Sequence, residues 1–395
     1  MKITHVIPYM HPAAGGPPVV VDRLSRELAA RGHDINVLTT DLFGGQSRAW
    51  ATDESRPYGM EVFSAAAGNG FGFSMDLWRE IGRAIRNSDV VHIHTLWTFP
   101  GLAAARACRQ ASIPYLVMPH GMLDPHSVGR KWLKKQCYGR LLEWPSLRRA
   151  RGMCYTHPEE ERLAAMTCHG LPRGYIVELG AESPPDCPRS ELRTRFLERH
   201  PELRERTVVL FLGRLHSKKG LDLLIPAFEA VQRERPDAQL LLVGPGEPAY
   251  VQSLREDVSR RGLDGAVTFT GILSGRDKWA AMAASDLFVL PSYQENFALT
   301  VVDAIQSGLP VLVSRRVNIW KDLVDAGAAR DCEPEVNSVT KTLSTCLSDR
   351  EWRHAAVRAG KALLSERFNW TTTAAQLETI YETVRSPRER PALVS

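Results

Sequence analysis

Short apolar runs separated by amphipathic stretches recur along almost the whole chain, and this alternation constrains the fold more than any other feature. Runs at 3–7, 35–39, 90–94, 115–118, 153–156 and 175–179 read as buried strands. Between several of them lie segments with helical spacing of apolar residues, such as 19–30 and 77–86. The rhythm restarts at 208–212, 239–243, 266–270, 287–290 and 311–314. Strands written as continuous apolar runs are covered on both faces, and strand–helix alternation lays them parallel with helices on each side. Two such series predict an α/β protein with two doubly wound domains.

At 395 residues the chain is too long for one ordinary core and suits two. The seam falls at "ESPPDCPRSE", residues 182–191, where prolines interrupt both patterns. The expected domains are 1–185 and 186–368, with 369–395 as a C-terminal extension. Beyond residue 331 the pattern is helical, at 336–347, 351–365 and 371–384, and "SPRERPALVS" reads as a frayed tail. A hydrophobic share of 44% beside 24% charged residues fits a globular protein. The net charge of +5, from 50 basic and 45 acidic residues, is too mild to imply a nucleic-acid partner. No run of about eighteen apolar residues occurs, so no transmembrane helix is expected, and "MKITHVIPYM" reads as a first strand rather than a signal peptide. The seven cysteines (Cys108, Cys137, Cys154, Cys168, Cys187, Cys332 and Cys346) include no C-x-x-C pair. They suit reduced thiols in a cytosol and no structural zinc.

In open parallel sheets, ligands bind beyond the carboxyl ends of the strands, so loops that follow strands carry the functional candidates. After the first strand comes "PYMHPAAGGPP". Its Gly15 and Gly16, lacking Cβ, let backbone N–H groups approach an anion; a simple turn is the alternative. In "FLGRLHSKKGLDLL" a strand ends at Gly213, and Arg214 and Lys219 follow before Gly220 and a helix. A guanidinium fork and an ammonium point charge at a strand end suit a diphosphate. "LLVGPGEP" offers Gly244 and Gly246, either for close passage of a flat group such as a nucleobase or for a plain tight turn. The fourth loop, "PSYQENFALTVVDAIQSGLP", carries Glu295, then the backbone of Asn296, Phe297 and Ala298, then a helix starting near Leu299 and Thr300 and bearing Asp303. These acids are either solvated helix-start residues or partners of a ligand rich in hydroxyls. Asp303, in an otherwise apolar helix, needs a partner. His92 and His94 share one face of a strand and could ligate a metal, but the sequence shows no third ligand, and no metal is expected. "HTLWTFPG", with His94 and Trp97, follows that strand and is the candidate acceptor pocket.

Taken together, these pieces resemble a known family. The pattern G-R-x-x-x-x-K-G at 213–220, "VGPG" at 243–246 and "ENFALTVVDAIQSGLPV" at 295–311 resemble the retaining glycosyltransferases of family four. The Gly15-Gly16 loop, "RGHDINVLTT" at 31–40, "DVVHIH" at 89–94 and "PYLVMPHG" at 114–121 extend the likeness through the first half. "MPHGMLDPHS" with "LLEWPSLRRA" is similar to the members that build bacterial exopolysaccharides, capsules and O-antigens. The resemblance implies the GT-B architecture, two Rossmann-like doubly wound domains facing across a cleft, with the C-terminal helix crossing back to the first domain. It also implies a metal-independent, cofactor-free hexosyltransferase. Such an enzyme would move a sugar from a UDP- or GDP-sugar to a glycan or lipid-linked acceptor in cell-surface polysaccharide biosynthesis.

By the same resemblance, Glu295 accepts hydrogen bonds from donor-sugar hydroxyls, aided by the backbone at Asn296, Phe297 and Ala298. Arg214 and Lys219 neutralise the departing diphosphate, together with the helix start at Leu299 and Thr300 and with Gly16. His120 contacts the donor sugar near the reacting carbon; read without the family, it bonds a neighbouring carbonyl. Asp303 stands where the family usually has Glu to hold the ribose hydroxyls, and it is one methylene shorter. Family precedent for retention is front-face attack, in which the leaving phosphate takes the acceptor's proton. The stretch 130–149, "RKWLKKQCYGRLLEWPSLRR", interleaves basic residues with Trp132, Leu133, Tyr138, Leu141, Leu142 and Trp144. It reads as a contact with the inner face of the plasma membrane, which would make this cytoplasmic protein peripheral, or as an ordinary helix packing its aromatics inward. A nucleotide-sugar 2-epimerase on the same architecture and a non-catalytic nucleotide-sugar-binding subunit are the rival readings.

Overall fold

The computed structural model describes every residue except 12–14, 43–45, 52–54, 67–69, 130–134, 136–137 and 387–395. The chain divides into two units: Met1–Leu179 together with the segment from Trp370 onward, and Gly180–Asn369. Seven strands form the sheet of the first unit: β1 (Lys2–Tyr9), β2 (Asp34–Thr40), β3 (Gly59–Phe63), β4 (Val90–His94), β5 (Tyr115–Met118), β6 (Gly152–Tyr155) and β7 (Gly174–Ile176). They pair in parallel in the order β3-β2-β1-β4-β5-β6-β7. The second unit holds β8 (Thr207–Leu212), β9 (Ala238–Val243), β10 (Val267–Gly271), β11 (Leu287–Leu290), β12 (Val311–Ser314) and β13 (Ala329–Cys332). Their order is β10-β9-β8-β11-β12-β13, again all parallel.

Each sheet is wound outward from its first strand to one edge and then restarts on the other side. The two strands at the reversal are β1 and β4 in one unit and β8 and β11 in the other, and ligand-binding crevices form beyond such a reversal. Central strands β4, β5, β11 and β12 are buried along their whole length, as continuous apolar runs require. β3 and β13 lie at sheet edges and carry Glu61, Arg330 and Asp331, so no apolar run announces them in the sequence.

Helix Gly16–Ala30 buries Val20, Val21, Leu24 and Leu28, a stripe at helical spacing. The last helix, Trp370–Arg385, packs within the first unit on that helix and on β4. Its inward face includes Leu377, Tyr381 and Val384. Polar contacts fix its position: His33 Nε2 lies 3.0 Å from Glu378 Oε1, and the Thr373 hydroxyl donates to the Glu178 carbonyl at 2.6 Å. The six described cysteines are free thiols, Cys137 lying outside the described residues. No described helix is long and apolar enough to cross a membrane.

One polar cluster sits inside the core of the first unit. Register places His5 of β1 opposite His92 of β4, and His94 follows on the same face. All three are fully buried. Burial pushes His5 down from its ordinary value of 6.5 to about 3, and it does the same to His120. His92 and His94 are held well below the ordinary range by burial, reinforced by the neighbouring imidazoles. In the unfolded chain these rings take up protons near pH 6.5, whereas the folded rings stay neutral until far lower pH. Their contribution is therefore intact above pH 6.5 and is lost as the pH falls from 6.5 toward 3. Each ring removes up to about 1.4 kcal/mol per pH unit in that window. Melting curves recorded by circular dichroism between pH 7.5 and pH 5 should show a steep fall in melting temperature; a flat profile would contradict this account of the core.

Candidate active site

In the second unit, the loops after β8 and β11 meet at the sheet reversal. The first runs through Gly213 and the exposed Arg214 into a short 3₁₀ turn, Ser217–Lys219, and then to Gly220. His216 Nδ1 accepts the Lys218 N–H at 3.1 Å, which closes that turn. Gly220 has a φ of +70°, and a Cβ there would stand 2.1 Å from the Pro291 carbonyl oxygen of the second loop. Only glycine permits that approach. The loops are then cross-linked. The Tyr293 N–H donates to the Lys218 carbonyl at 2.8 Å, Lys218 Nζ donates to Gln294 Oε1 at 3.1 Å, and Lys219 Nζ forms an ion pair with Glu295 Oε1. Two of the expected site residues, Lys219 and Glu295, are thus brought into direct contact. Arg214 stands nearby in sequence with no ion-pair partner among the described residues.

Glu295 is held from its other side by the chain after β12. Its N–H donates to the Arg316 carbonyl at 2.9 Å, and its carbonyl accepts from the Asn318 N–H at 3.1 Å. Asn296 Oδ1 accepts from Asn318 Nδ2 at 3.2 Å. The Phe297 ring is buried against Phe368, with centroids 5.4 Å apart. Ala298 adopts φ +61° and ψ +67°, a left-handed conformation costly for a residue with a Cβ. It caps helix Leu299–Gln306 without a side-chain bond, and no acid occupies the first turn. The N–H groups of Leu299 and Thr300 thus form an uncompensated positive end. Gly244, at φ +141°, would place a Cβ 1.9 Å from the Gly213 carbonyl oxygen, and Gly246 is crowded by Leu215 and Val251. Both glycines are needed for the packing of one loop on the next.

Asp303 lies deeper. Its Oδ1 accepts the Glu182 N–H at 2.9 Å and its Oδ2 meets Lys278 Nζ at 3.1 Å. Burial pushes its carboxyl up while Lys278 pulls the other way. Burial alone would push the Lys278 ammonium down, but Asp303 and Glu182 together more than offset this and raise it. The partner that the sequence required but could not name is Lys278, 25 positions away on a different helix.

In the first unit, the loops after β1, β4 and β5 hold the remaining candidates. Gly15, at φ +115°, precedes helix Gly16–Ala30, whose start has no side-chain cap and no acid. The β4 loop is strained, with Thr95 at φ +66° and Trp97 at φ +64°. Trp97 Nε1 donates to the Met122 carbonyl at 3.4 Å, and its ring meets Trp144 edge-on at 5.1 Å. His120, at φ +51°, places its Nε2 3.0 Å from His94 Nδ1. His94 Nε2 lies 2.9 Å from His5 Nδ1. The His94 ring is fully buried with both nitrogens engaged, so it has no nitrogen left for an acceptor; Trp97 is the half-exposed member of that pair. Glu160 shapes the turn after His120 by accepting the Gly121 N–H at 2.5 Å and the Thr156 N–H at 2.7 Å. A third histidine does accompany His92 and His94. It is His5, and one ring nitrogen from each lies within 4.8 Å of the others, a set that could hold a metal ion. Sequence spacing missed it because His5 sits on the neighbouring strand, 87 positions from His92.

Two family models match the chain. The Glycosyl transferase 4-like domain covers residues 15–181, and Glycosyl transferases group 1 covers residues 193–363. Among relatives, mannosylfructose-phosphate synthase of Agrobacterium fabrum is 31% identical over 45% of this chain and 41% of its own length. The lipopolysaccharide 1,2-N-acetylglucosaminetransferase of Salmonella typhimurium is 28% identical over 55% of this chain and 57% of its own. The aligned part thus spans only about half the length of these relatives or less. Anabaena HepE, solved in complex with UDP-glucose, superposes with a TM-score of 0.79 at 21% identity, covering 97% of this chain and 100% of that one. At that identity the likeness speaks for the fold, and its fold is the pair of doubly wound parallel sheets described above. With one model on each half and this architecture throughout, the chain belongs to the family-four type of glycosyltransferases with the GT-B fold.

Proposed function

We propose that the protein is a retaining glycosyltransferase that moves a sugar from a UDP- or GDP-sugar to a glycan or lipid-linked glycan acceptor in cell-surface polysaccharide assembly. The observation that carries this reading is the Lys219–Glu295 contact at the sheet reversal, with Arg214 exposed on the same loop as Lys219 and the uncapped helix Leu299–Gln306 starting four positions after Glu295. A sugar diphosphate presents both of the chemistries that this pair matches, hydroxyls for a carboxylate and anionic oxygens for an ammonium. As the glycosidic bond breaks, negative charge grows on the leaving phosphate, and fixed donors aimed at it lower the barrier. Arg214, Lys219 and the N–H groups of Leu299 and Thr300 would take that part without a metal ion. Glu295 and the backbone from Asn296 to Ala298 would hold the sugar, Gly15 and Gly16 would face the phosphates, and Gly213, Gly244 and Gly246 would keep the loops in place. His120 would meet the sugar near the reacting carbon, the leaving phosphate would accept the acceptor's proton, and Trp97 would shape the acceptor site. Sugar transferred by the Salmonella relative enters lipopolysaccharide by its name, which supports a cell-surface product.

One observation favours a second reading. Both Asp303 oxygens are engaged, on Lys278 and on the Glu182 N–H, so a ribose would have to share them. A subunit that binds nucleotide-sugar without turnover would tolerate this.

Contact with the inner face of the membrane through 130–149 is part of the proposal. Residues 130–134 and 136–137 lie outside the described set. In the remainder, Leu141 and Leu142 are 75% and 49% exposed, while Trp144 and Leu147 are buried. Changing Leu141 and Leu142 to Glu should abolish flotation with anionic liposomes; undiminished flotation would end the membrane assignment.

Two further outcomes are expected. In a thermal-shift screen, a UDP- or GDP-sugar at about 100 times its Kd should stabilise the protein by about 2.7 kcal/mol, and an absence of any shift would remove the donor assignment. Arg214→Ala should lower turnover by about 10²–10³ and leave the melting temperature unchanged, because its side chain is exposed. Full activity in that variant would remove the charge-neutralisation argument.

A further inference from the structure

We propose that His5 and His94 are positioning residues for His120, forming with it one chain of hydrogen-bonded imidazoles that fixes which nitrogen of His120 carries the proton. The proposal rests on the donor-sugar role assigned to His120 above. Three observations carry it. His120 Nε2 and His94 Nδ1 are 3.0 Å apart, His94 Nε2 and His5 Nδ1 are 2.9 Å apart, and the His94 and His120 rings are stacked with centroids 5.3 Å apart. The far end, His5 Nε2, is buried without a partner among the described residues. His120, at the near end, is the member that solvent reaches.

A neutral imidazole has one N–H and one lone pair. If His94 Nδ1 donates to His120, then His94 Nε2 must accept from His5 Nδ1, and all three rings carry the proton on Nδ1. If instead His120 Nε2 donates, all three carry it on Nε2. Mixed arrangements place two lone pairs or two protons against each other in a dry core, where an unmade hydrogen bond is costly. The three rings therefore take one arrangement or the other together, and the Nδ1 of His120, which lies outside this chain of bonds, meets a ligand as donor only or acceptor only. Neighbouring strands make this arrangement available, since β1 and β4 lie side by side at the sheet reversal and β5 follows.

Two of these histidines, His5 and His94, could be read as metal ligands with His92. Two nitrogens on one tetrahedral zinc at about 2.0–2.1 Å stand about 3.3–3.4 Å apart; the 2.9 Å between His5 and His94 is a hydrogen-bond distance. No carboxylate belongs to that group of side chains to balance a buried divalent charge.

Nitrogen-15 spectra of the intact protein, labelled at histidine and assigned by single substitutions, test the proposal without reference to turnover. His5, His94 and His120 should share one tautomer. In His5→Leu, the two ring nitrogens of His120 should move toward averaged shifts, and kcat for sugar transfer should fall about tenfold while the KM for the donor changes little. Different tautomers among the three rings in the unsubstituted protein would overturn the proposal, and this reading needs no variant to fold. So would an unchanged His120 spectrum in His5→Leu, or zinc retained at one equivalent per chain. A shared tautomer in a protein without transferase activity would leave the chain standing and remove the proposed function instead.

Discussion

The structure depends on a single constraint of parallel sheets: where the winding order reverses, two strands distant in sequence lie side by side and their following loops diverge around a shared space. Both units use it. In the second, the reversal between β8 and β11 brings Lys219 to Glu295 across 76 positions of sequence. In the first, the reversal between β1 and β4 brings His5 to His92 and His94. The geometry is the same and the chemistry differs. A half-buried ion pair suits a ligand that can replace both partners, whereas a dry chain of neutral imidazoles can only orient one another.

Glycine is what lets the loops of the second unit close on each other. Gly220 against the Pro291 carbonyl and Gly244 against the Gly213 carbonyl leave no room for a side chain. The sequence suggests that Gly244 and Gly246 let a flat group pass closely or make a tight turn; their observed neighbours lie chiefly in the loop after β8. Between these loops and the helix Leu299–Gln306, strain sits at Ala298, a left-handed residue with a Cβ that opens that helix. That conformation persists because Phe297 on one side is locked into the core, and the helix on the other is buried through Val301, Val302 and Ile305.

How legible this was in the sequence follows from how local each feature is. Central strands are continuous apolar runs, so the alternation predicts them and with them the two-sheet architecture. β3 and β13 escape because an edge strand keeps polar residues. Lys219 and Glu295 are legible singly, each lying in a loop that follows a strand, but their contact requires the strand order. His5, Glu160 and Lys278 escape altogether. Each is an ordinary residue within a strand or helix pattern, and only register or helix packing shows what it touches. His94 shows the reverse: its place at a strand end suggests an acceptor contact, yet its side chain points to the face where His5 and His120 take both of its nitrogens.

Asp303 brings these threads together. A carboxylate in an apolar helix must be partnered, and its two oxygens join the helix Leu299–Gln306 to Lys278 on the helix Gly275–Ala284 and to the backbone of Glu182. Glu182 also reaches Lys278, so one ammonium serves two carboxylates. Buried ion pairs of this kind add little net stability, because the cost of desolvation nearly offsets the attraction, but breaking one leaves a buried charge unpaired. Their effect is to fix geometry. Here that geometry sets the beginning of the second unit, near Glu182, against the same helix whose first turn has no side-chain cap. The acid that family resemblance assigns to the ribose is thus already part of the scaffold that orients helix Leu299–Gln306. Any contact it makes with a nucleotide is coupled through Lys278 to the position of that helix.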